Sequence, residues 1–221
     1  YNSLPASIED PMALVFKDAK QSLLKRKSKI DLNARMTTML ETGIEKQMSK
    51  FRKVINKQSL DCSLAKTAAI INFPESCMDW VRPGIMLYGA SPFINKKAHQ
   101  LKLEAAMTMK SKIISVQNLK KDEFVGYGNV FKATKDTRVG IVACGYADGY
   151  PRHAPSGTAV SVNGIKTKTI GRVSMDMLYV DITNIQKASI GSNVELWGKQ
   201  ISVDDVAQSS GTVGYELFSS V

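Results

Sequence analysis

Cysteine is scarce in this sequence, and its scarcity excludes two architectures. Cys62, Cys77 and Cys144 stand at wide, irregular spacing in 221 residues. An odd number so placed builds neither a disulfide framework nor a metal site, and it suits a reducing cytoplasm. Long apolar runs are missing too: none approaches the ~18 residues that a membrane span needs. No basic-then-apolar leader opens the sequence, so its reading predicts no export and a cytoplasmic location. Internal repeats and low-complexity tracts are also absent. What remains is ordinary for a globular protein, with 43% hydrophobic and 23% charged residues.

Negative charge is in short supply. The net charge is +10, and residues 1–110 carry most of it, with 18 Lys+Arg against 10 Asp+Glu. Part of that excess is the run Lys25-Arg26-Lys27 with Lys29. A basic run can mark a nucleic-acid site, but no aromatic residues interleave this one and no reading motif accompanies it. A solvated helix end is the expectation, with no nucleic-acid partner.

Hydrophobic periodicity divides the chain. Met12, Val15, Phe16, Ala19, Leu23 and Leu24 predict a helix over residues 8–28, with Ser7 and Asp10 near its start. A short strand is expected at 32–36. A second helix is expected over 41–57, with Ile44, Met48, Phe51 and Val54 on one face. Residues 63–71 and 81–87 suit buried strands or their ends. Such alternation is the mark of a βα layered or barrel arrangement.

After about residue 100 the pattern becomes one of alternating apolar and polar residues. It predicts strands at 105–116, 137–144, 158–162, 166–170, 177–182 and 193–197, and a short helix at 204–208. Asn163-Gly164 between two of these runs is a hairpin signal. The second region therefore reads as an antiparallel β domain, with the boundary within residues 92–103.

Two tyrosine motifs carry the chemistry. Val125-Gly126-Tyr127-Gly128 is followed, nineteen residues after its tyrosine, by Gly145-Tyr146-Ala147-Asp148-Gly149-Tyr150-Pro151-Arg152. Glycines on both sides of Tyr127 permit positive φ and close approach to a ligand, while the phenol projects from a fixed point. A phenol is a poor base at neutral pH unless a charged or hydrogen-bonding neighbour assists it. Taken alone, each motif also reads as a glycine-bracketed turn with a surface tyrosine.

Two further segments are Val81-Arg82-Pro83-Gly84-Ile85-Met86-Leu87-Tyr88-Gly89-Ala90-Ser91-Pro92 and Gly171-Arg172-Val173-Ser174-Met175-Asp176-Met177. With these four pieces in this order, the chain resembles the alanine racemases, from about residue 36 to residue 217. The resemblance implies a partial (β/α)8 barrel over residues 1–100, truncated at its start, and an antiparallel β C-terminal domain over 101–221. It implies pyridoxal 5'-phosphate (PLP) as cofactor, alanine as substrate, D-alanine supply for peptidoglycan, and a homodimer with sites shared across the interface.

Residue by residue, the resemblance makes Tyr127 the base acting on the L-enantiomer, reaching toward the neighbouring subunit's cofactor. Arg82 would meet the pyridine nitrogen; being permanently protonated, it would donate to that nitrogen. Gly84 and Ile85 would offer backbone N–H groups to the cofactor phosphate, joined by the hydroxyls of Thr67 and Tyr215. The Met175 N–H would bind the substrate carboxylate, Asp176 would orient that turn, and Tyr146 would narrow access to the substrate.

The chain also departs from the family. Tyr1-Asn2-Ser3-Leu4 resembles a degraded copy of a mid-barrel Asn-Arg-Leu-Gly segment, with Ser3 where an arginine would hold the substrate carboxylate. Thr38, in Met36-Thr37-Thr38, stands where a histidine often accompanies the tyrosine. Lys66 replaces the usual neighbour of the phosphate-binding hydroxyl. The lysine that holds PLP covalently has no clear counterpart, although a rival alignment over Met12–Asp18 would give that role to Lys17. These losses leave three readings open: a racemase polypeptide, a catalytically silent remnant able to dimerise or bind, and a basic nucleic-acid module.

Overall fold

A computed structural model describes residues 32–55 and 60–221, with side chains from residue 43 onward within those ranges. The helix expected at 8–28, Ser3, Lys17 and the basic run near residue 27 lie outside the described residues, as does the side chain of Thr38. Two compact units divide the chain between Cys62 and Ser63.

In the first unit, helix α1 spans Leu32–Ile55. Here the expected strand at 32–36 is corrected: these residues are helical. Leu32, Met36, Leu40, Ile44, Met48, Phe51 and Ile55 recur at helical spacing, and a five-residue window was too short to reveal that period. Met48 is buried, whereas Val54, expected on the same face, is 73% exposed.

The second unit begins with β1 (Ser63–Lys66), α2 (Thr67–Asn72) and β2 (Trp80–Arg82). β1 and β2 pair in parallel. The apolar runs at 63–71 and 81–87 are thus strands only in their first halves. The chain turns into α2 after Lys66 and into a 3-10 turn, Ile85–Tyr88, after Gly84.

Six strands then close a barrel: β3 (Met109–Leu119), β6 (Thr137–Val142), β7 (Ala159–Val162), β8 (Ile165–Ile170), β9 (Leu178–Asp181) and β10 (Asn193–Trp197), in the order β10-β3-β6-β9-β8-β7. All neighbouring pairs are antiparallel. Closure leaves no edge strand, so every strand spends its backbone groups on a neighbour. Asn163 and Gly164, at φ 49° and 85°, form the expected tight turn between β7 and β8. β4 (Phe124–Val125) and β5 (Phe131–Lys132) make a separate small hairpin.

Val139, Val142, Val160, Val162, Leu178, Val180, Val194 and Leu196 are all essentially inaccessible and fill the core. Trp197 is fully buried and stacks on Tyr150 with ring centroids 5.9 Å apart. Two helices complete the unit, α3 (Val203–Ser209) and α4 (Gly214–Ser219). Asp204 of α3 accepts the N–H groups of Ser91 (3.1 Å) and Ala98 (3.0 Å), and Lys97 pairs with Asp205 at 2.6 Å. The segment between β2 and β3 is thereby tied to α3.

The same core silences one cysteine. Burial, and secondarily the Asp148 carboxylate, push the Cys144 thiol up to about 12. Since the thiolate is the reactive form, iodoacetamide at pH 8 should modify the half-exposed Cys77 and leave Cys144 intact until the protein is denatured. Peptide mass spectrometry checks this, and labelling of Cys144 as fast as Cys77 would contradict it.

Candidate functional site

Strands β1 and β2 run parallel, so their carboxyl ends lie side by side and deliver Thr67 and Gly84 to one place. The buried Thr67 Oγ1 accepts the Gly84 N–H at 2.8 Å. Arg82, the last residue of β2, donates from Nη2 to the Leu64 carbonyl of β1 at 3.2 Å, with its side chain on the surface. Ile85 opens the 3-10 turn that follows and is buried.

Helix α4 brings the fourth phosphate-site candidate to this place. A Cβ at Gly214 would sit 3.3 Å from Ile85 Cδ1, so the first turn of α4 rests on the Ile85 turn with Tyr215 next in sequence. Partial burial pushes the Tyr215 phenol upward, keeping it a neutral hydrogen-bond donor. Thr67, Gly84, Ile85 and Tyr215 therefore gather at one end of the parallel strand pair. Hydroxyls and main-chain N–H groups at such an end suit a phosphate group, and α4 adds a second wall.

The other end of α4 leads to the second cluster. A Cβ at Gly149 would overlap the Ser220 carbonyl, so the end of α4 lies against the Tyr146–Asp148 turn. That turn packs on the loop after β8: Tyr146 N–H donates to Ser174 O at 3.1 Å and Ala147 N–H to Met175 O at 2.9 Å. Gly145 is required by this approach, because a Cβ there would overlap the carbonyls of both Ser174 and Met175. Asp148 accepts the Gly145 N–H at 2.9 Å and fixes the turn. On the facing loop, Ser174 Oγ donates to Met177 O at 2.7 Å and accepts the Met177 N–H at 3.2 Å. Within this turn the Met175 N–H donates to no acceptor among the described residues, and Met175 is 56% exposed. Asp176 lies beside it, also exposed.

Tyr127 sits in the turn between β4 and β5, where Gly126 and Gly128 take φ 80° and 72°. The phenol is 71% exposed and has no hydrogen-bond partner among the described residues. Gly128 lies against the Arg172 guanidinium, so this turn covers the start of the loop that ends at Met175. No hydrogen bond joins Tyr127 to Thr67, Arg82, Gly84, Ile85 or Tyr215 among the described residues.

Two arginines without an expected role belong to these clusters. Arg152 places its guanidinium 5.8 Å from the Tyr146 ring centroid, and Arg172 lines the Tyr127 turn. Both occur inside the quoted motifs, but their contacts depend on turns whose course the sequence does not state. Among the described residues there is no group of three metal-ligating side chains, and no helix is long and apolar enough to cross a membrane.

Comparison with known proteins agrees on one family. The alanine racemase C-terminal domain matches residues 106–221 and the alanine racemase N-terminal domain matches residues 24–92. An alanine racemase from Thiobacillus denitrificans is 55% identical over 175 residues, covering 79% of this chain and 48% of that protein. A catabolic alanine racemase from Klebsiella aerogenes is 56% identical over 178 residues, covering 79% and 49%. The crystal structure of the biosynthetic alanine racemase from Pseudomonas aeruginosa superposes with a TM-score of 0.75 at 47% identity, over 80% of this chain and 49% of that one. The chain spans about half the length of the curated relatives it matches. By its motifs, its antiparallel β-barrel and these matches, the chain belongs to the alanine racemase family.

Proposed function

We propose that this chain supplies the second half of a PLP-dependent alanine racemase, which interconverts L- and D-alanine once the remainder of the barrel is provided. Residues 1–100 are assigned to the later part of a (β/α)8 barrel and residues 101–221 to the β C-terminal domain. The observation that carries this reading is the bridge made by α4, with the Thr67–Gly84–Ile85 group at one end and the Tyr146–Met175 pair at the other.

The donor set fits the cofactor's phosphate. Thr67 and Tyr215 contribute hydroxyls and Ile85 a main-chain N–H; the Gly84 N–H, which here donates to Thr67 Oγ1, would exchange that acceptor for the phosphate, and the absence of a side chain at Gly84 leaves room for close approach. Bound PLP supplies the electron withdrawal that acidifies the substrate Cα–H. Arg82 would donate to the pyridine nitrogen and keep it unprotonated, which would moderate that withdrawal and limit side reactions. The Met175 N–H receives the substrate carboxylate, Asp176 orients its turn, and Tyr146 with Arg152 narrows the approach. Tyr127 takes or returns the proton at Cα on the L face. Its phenol is 71% exposed and bonds none of the phosphate-site residues described above, so its partner site is assigned to a second copy in a homodimer. The cellular reading is a cytoplasmic enzyme providing D-alanine for peptidoglycan.

Equilibrium dialysis against PLP tests the phosphate assignment. Thr67→Val should weaken PLP binding by about tenfold, the expected effect of one hydrogen bond to a charged group. Unchanged affinity in Thr67→Val and in Tyr215→Phe would show that these hydroxyls do not hold the phosphate, and would favour a silent remnant.

A further inference from the structure

Three lysines outside this site share one groove. Lys135, Lys166 and Lys168 line a cavity of about 460 Å³ on the barrel surface, together with Asp181, Asn184 and Ile185. Lys166 and Lys168 are two residues apart on β8, so both project from one face of the strand. None of the three has an ion-pair partner among the described residues.

The nearby carboxylates are already engaged. Asp181 Oδ1 accepts the Thr183 N–H at 3.0 Å and the Thr183 hydroxyl at 2.6 Å. Asp136, adjacent to Lys135 in sequence, is held by Lys120 Nζ at 2.9 Å and the Lys121 N–H at 3.1 Å. Hydrogen bonds also fix the walls. Thr137 Oγ1 donates to the Lys135 carbonyl at 2.7 Å, and Thr167 Oγ1 to the Asp181 carbonyl at 2.5 Å. The Arg138 guanidinium donates to the carbonyls of Ile185, Gln186 and Ala188.

Like charges gathered in one concavity raise its potential and concentrate anions there. The backbone around them is pinned, which fixes where the three exposed lysine side chains start. Three ammonium groups against one carboxylate leave two positive charges, which a monoanion does not neutralise. We infer that this groove binds a small phosphate compound carrying two or more negative charges, at a site sharing no residue with the proposed cofactor site. The volume lies within the range of small-molecule sites, ~300–1,000 Å³.

Inorganic pyrophosphate is the probe, titrated into the full chain at about 50 mM salt, where screening is modest, with backbone amide NMR as the site-resolved readout. Saturable shifts are expected at Lys135, at residues 166–168 and at 181–185. Lys166→Gln combined with Lys168→Gln should weaken this binding at least fivefold. The control pair Lys110→Gln with Lys112→Gln, an equal charge change at exposed positions of β3 outside the groove, should change it less than twofold. Thr67→Val should leave groove binding intact, which separates this result from the cofactor reading. Absence of saturation, shifts confined to residues near Thr67 and Gly84, or equal losses in the two double variants would overturn the site. So would effective competition by duplex DNA at matched phosphate concentration, since that marks general attraction of anions.

Discussion

Tyr127→Phe should lower Cα exchange of L-alanine by ~10²–10⁴-fold, the usual contribution of a general acid–base group, when the chain is assayed with the N-terminal half of a full-length alanine racemase. The substitution keeps the ring and removes only a hydroxyl that bonds nothing among the described residues, so the fold has no reason to change. The flanking glycines at φ 80° and 72° set the direction of the ring through the backbone, and Phe leaves them untouched. Solvent-deuterium incorporation from L-alanine should collapse while PLP binding holds. Exchange from D-alanine should suffer less, because the family's lysine serves that face. Were L-alanine exchange to survive Tyr127→Phe and vanish in Tyr146→Phe, the base would have been assigned to the wrong tyrosine.

Trp197→Ala should destabilise the β-barrel by about 3–5 kcal/mol, the cost of removing a large buried aromatic and leaving its cavity. Trp197 is fully buried at the end of β10, and its ring stacks on Tyr150. Both polar tips of this pair, Trp197 Nε1 and the Tyr150 hydroxyl, are buried without a protein partner. An unsatisfied buried donor carries its own penalty. Trp197→Phe discards that donor along with some volume, so its loss should be clearly smaller than that of Trp197→Ala. Urea unfolding followed by circular dichroism separates the two, and an alanine variant within ~1 kcal/mol of the parent would show that the pair does not anchor the core.

The strands of the β domain were legible as short runs rich in β-branched and apolar residues between turn signals, although only β9 alternates strictly and Val194–Trp197 of β10 are all buried. Residues 193–197 match β10 without adjustment, and Asn163-Gly164 declares its own turn. Barrel closure was not legible. It depends on β10 pairing with both β3 and β7, and the register of such distant strands is set by packing rather than by local sequence. Helix α4 escaped notice because six residues are too few to display a period, and no side chain caps its start. The early apolar runs misled for a related reason: an apolar stretch that begins as a strand and turns into a helix, as at Lys66 and Thr67, shows neither period cleanly.

The candidate site was readable in its residue identities and only partly in its geometry. Tyr127, Tyr146, Arg82 and Met175 stand inside motifs, which single them out as candidates. The Thr67–Gly84 hydrogen bond spans seventeen positions and arises from the parallel pairing of β1 with β2. Arg152 reaches the Tyr146 ring only because the intervening turn folds back. Contacts of this kind come from the topology, and motif spacing does not encode them.

The most direct test of the assignment is D-alanine formation from L-alanine with PLP present, measured for the chain alone and after co-expression with the N-terminal half of a full-length alanine racemase. The chain alone should show no turnover above background, and the co-expressed pair should regain it. Racemisation by the chain alone would overturn the assignment. If that activity then disappeared in Lys17→Ala, the cofactor lysine would lie within this chain after all.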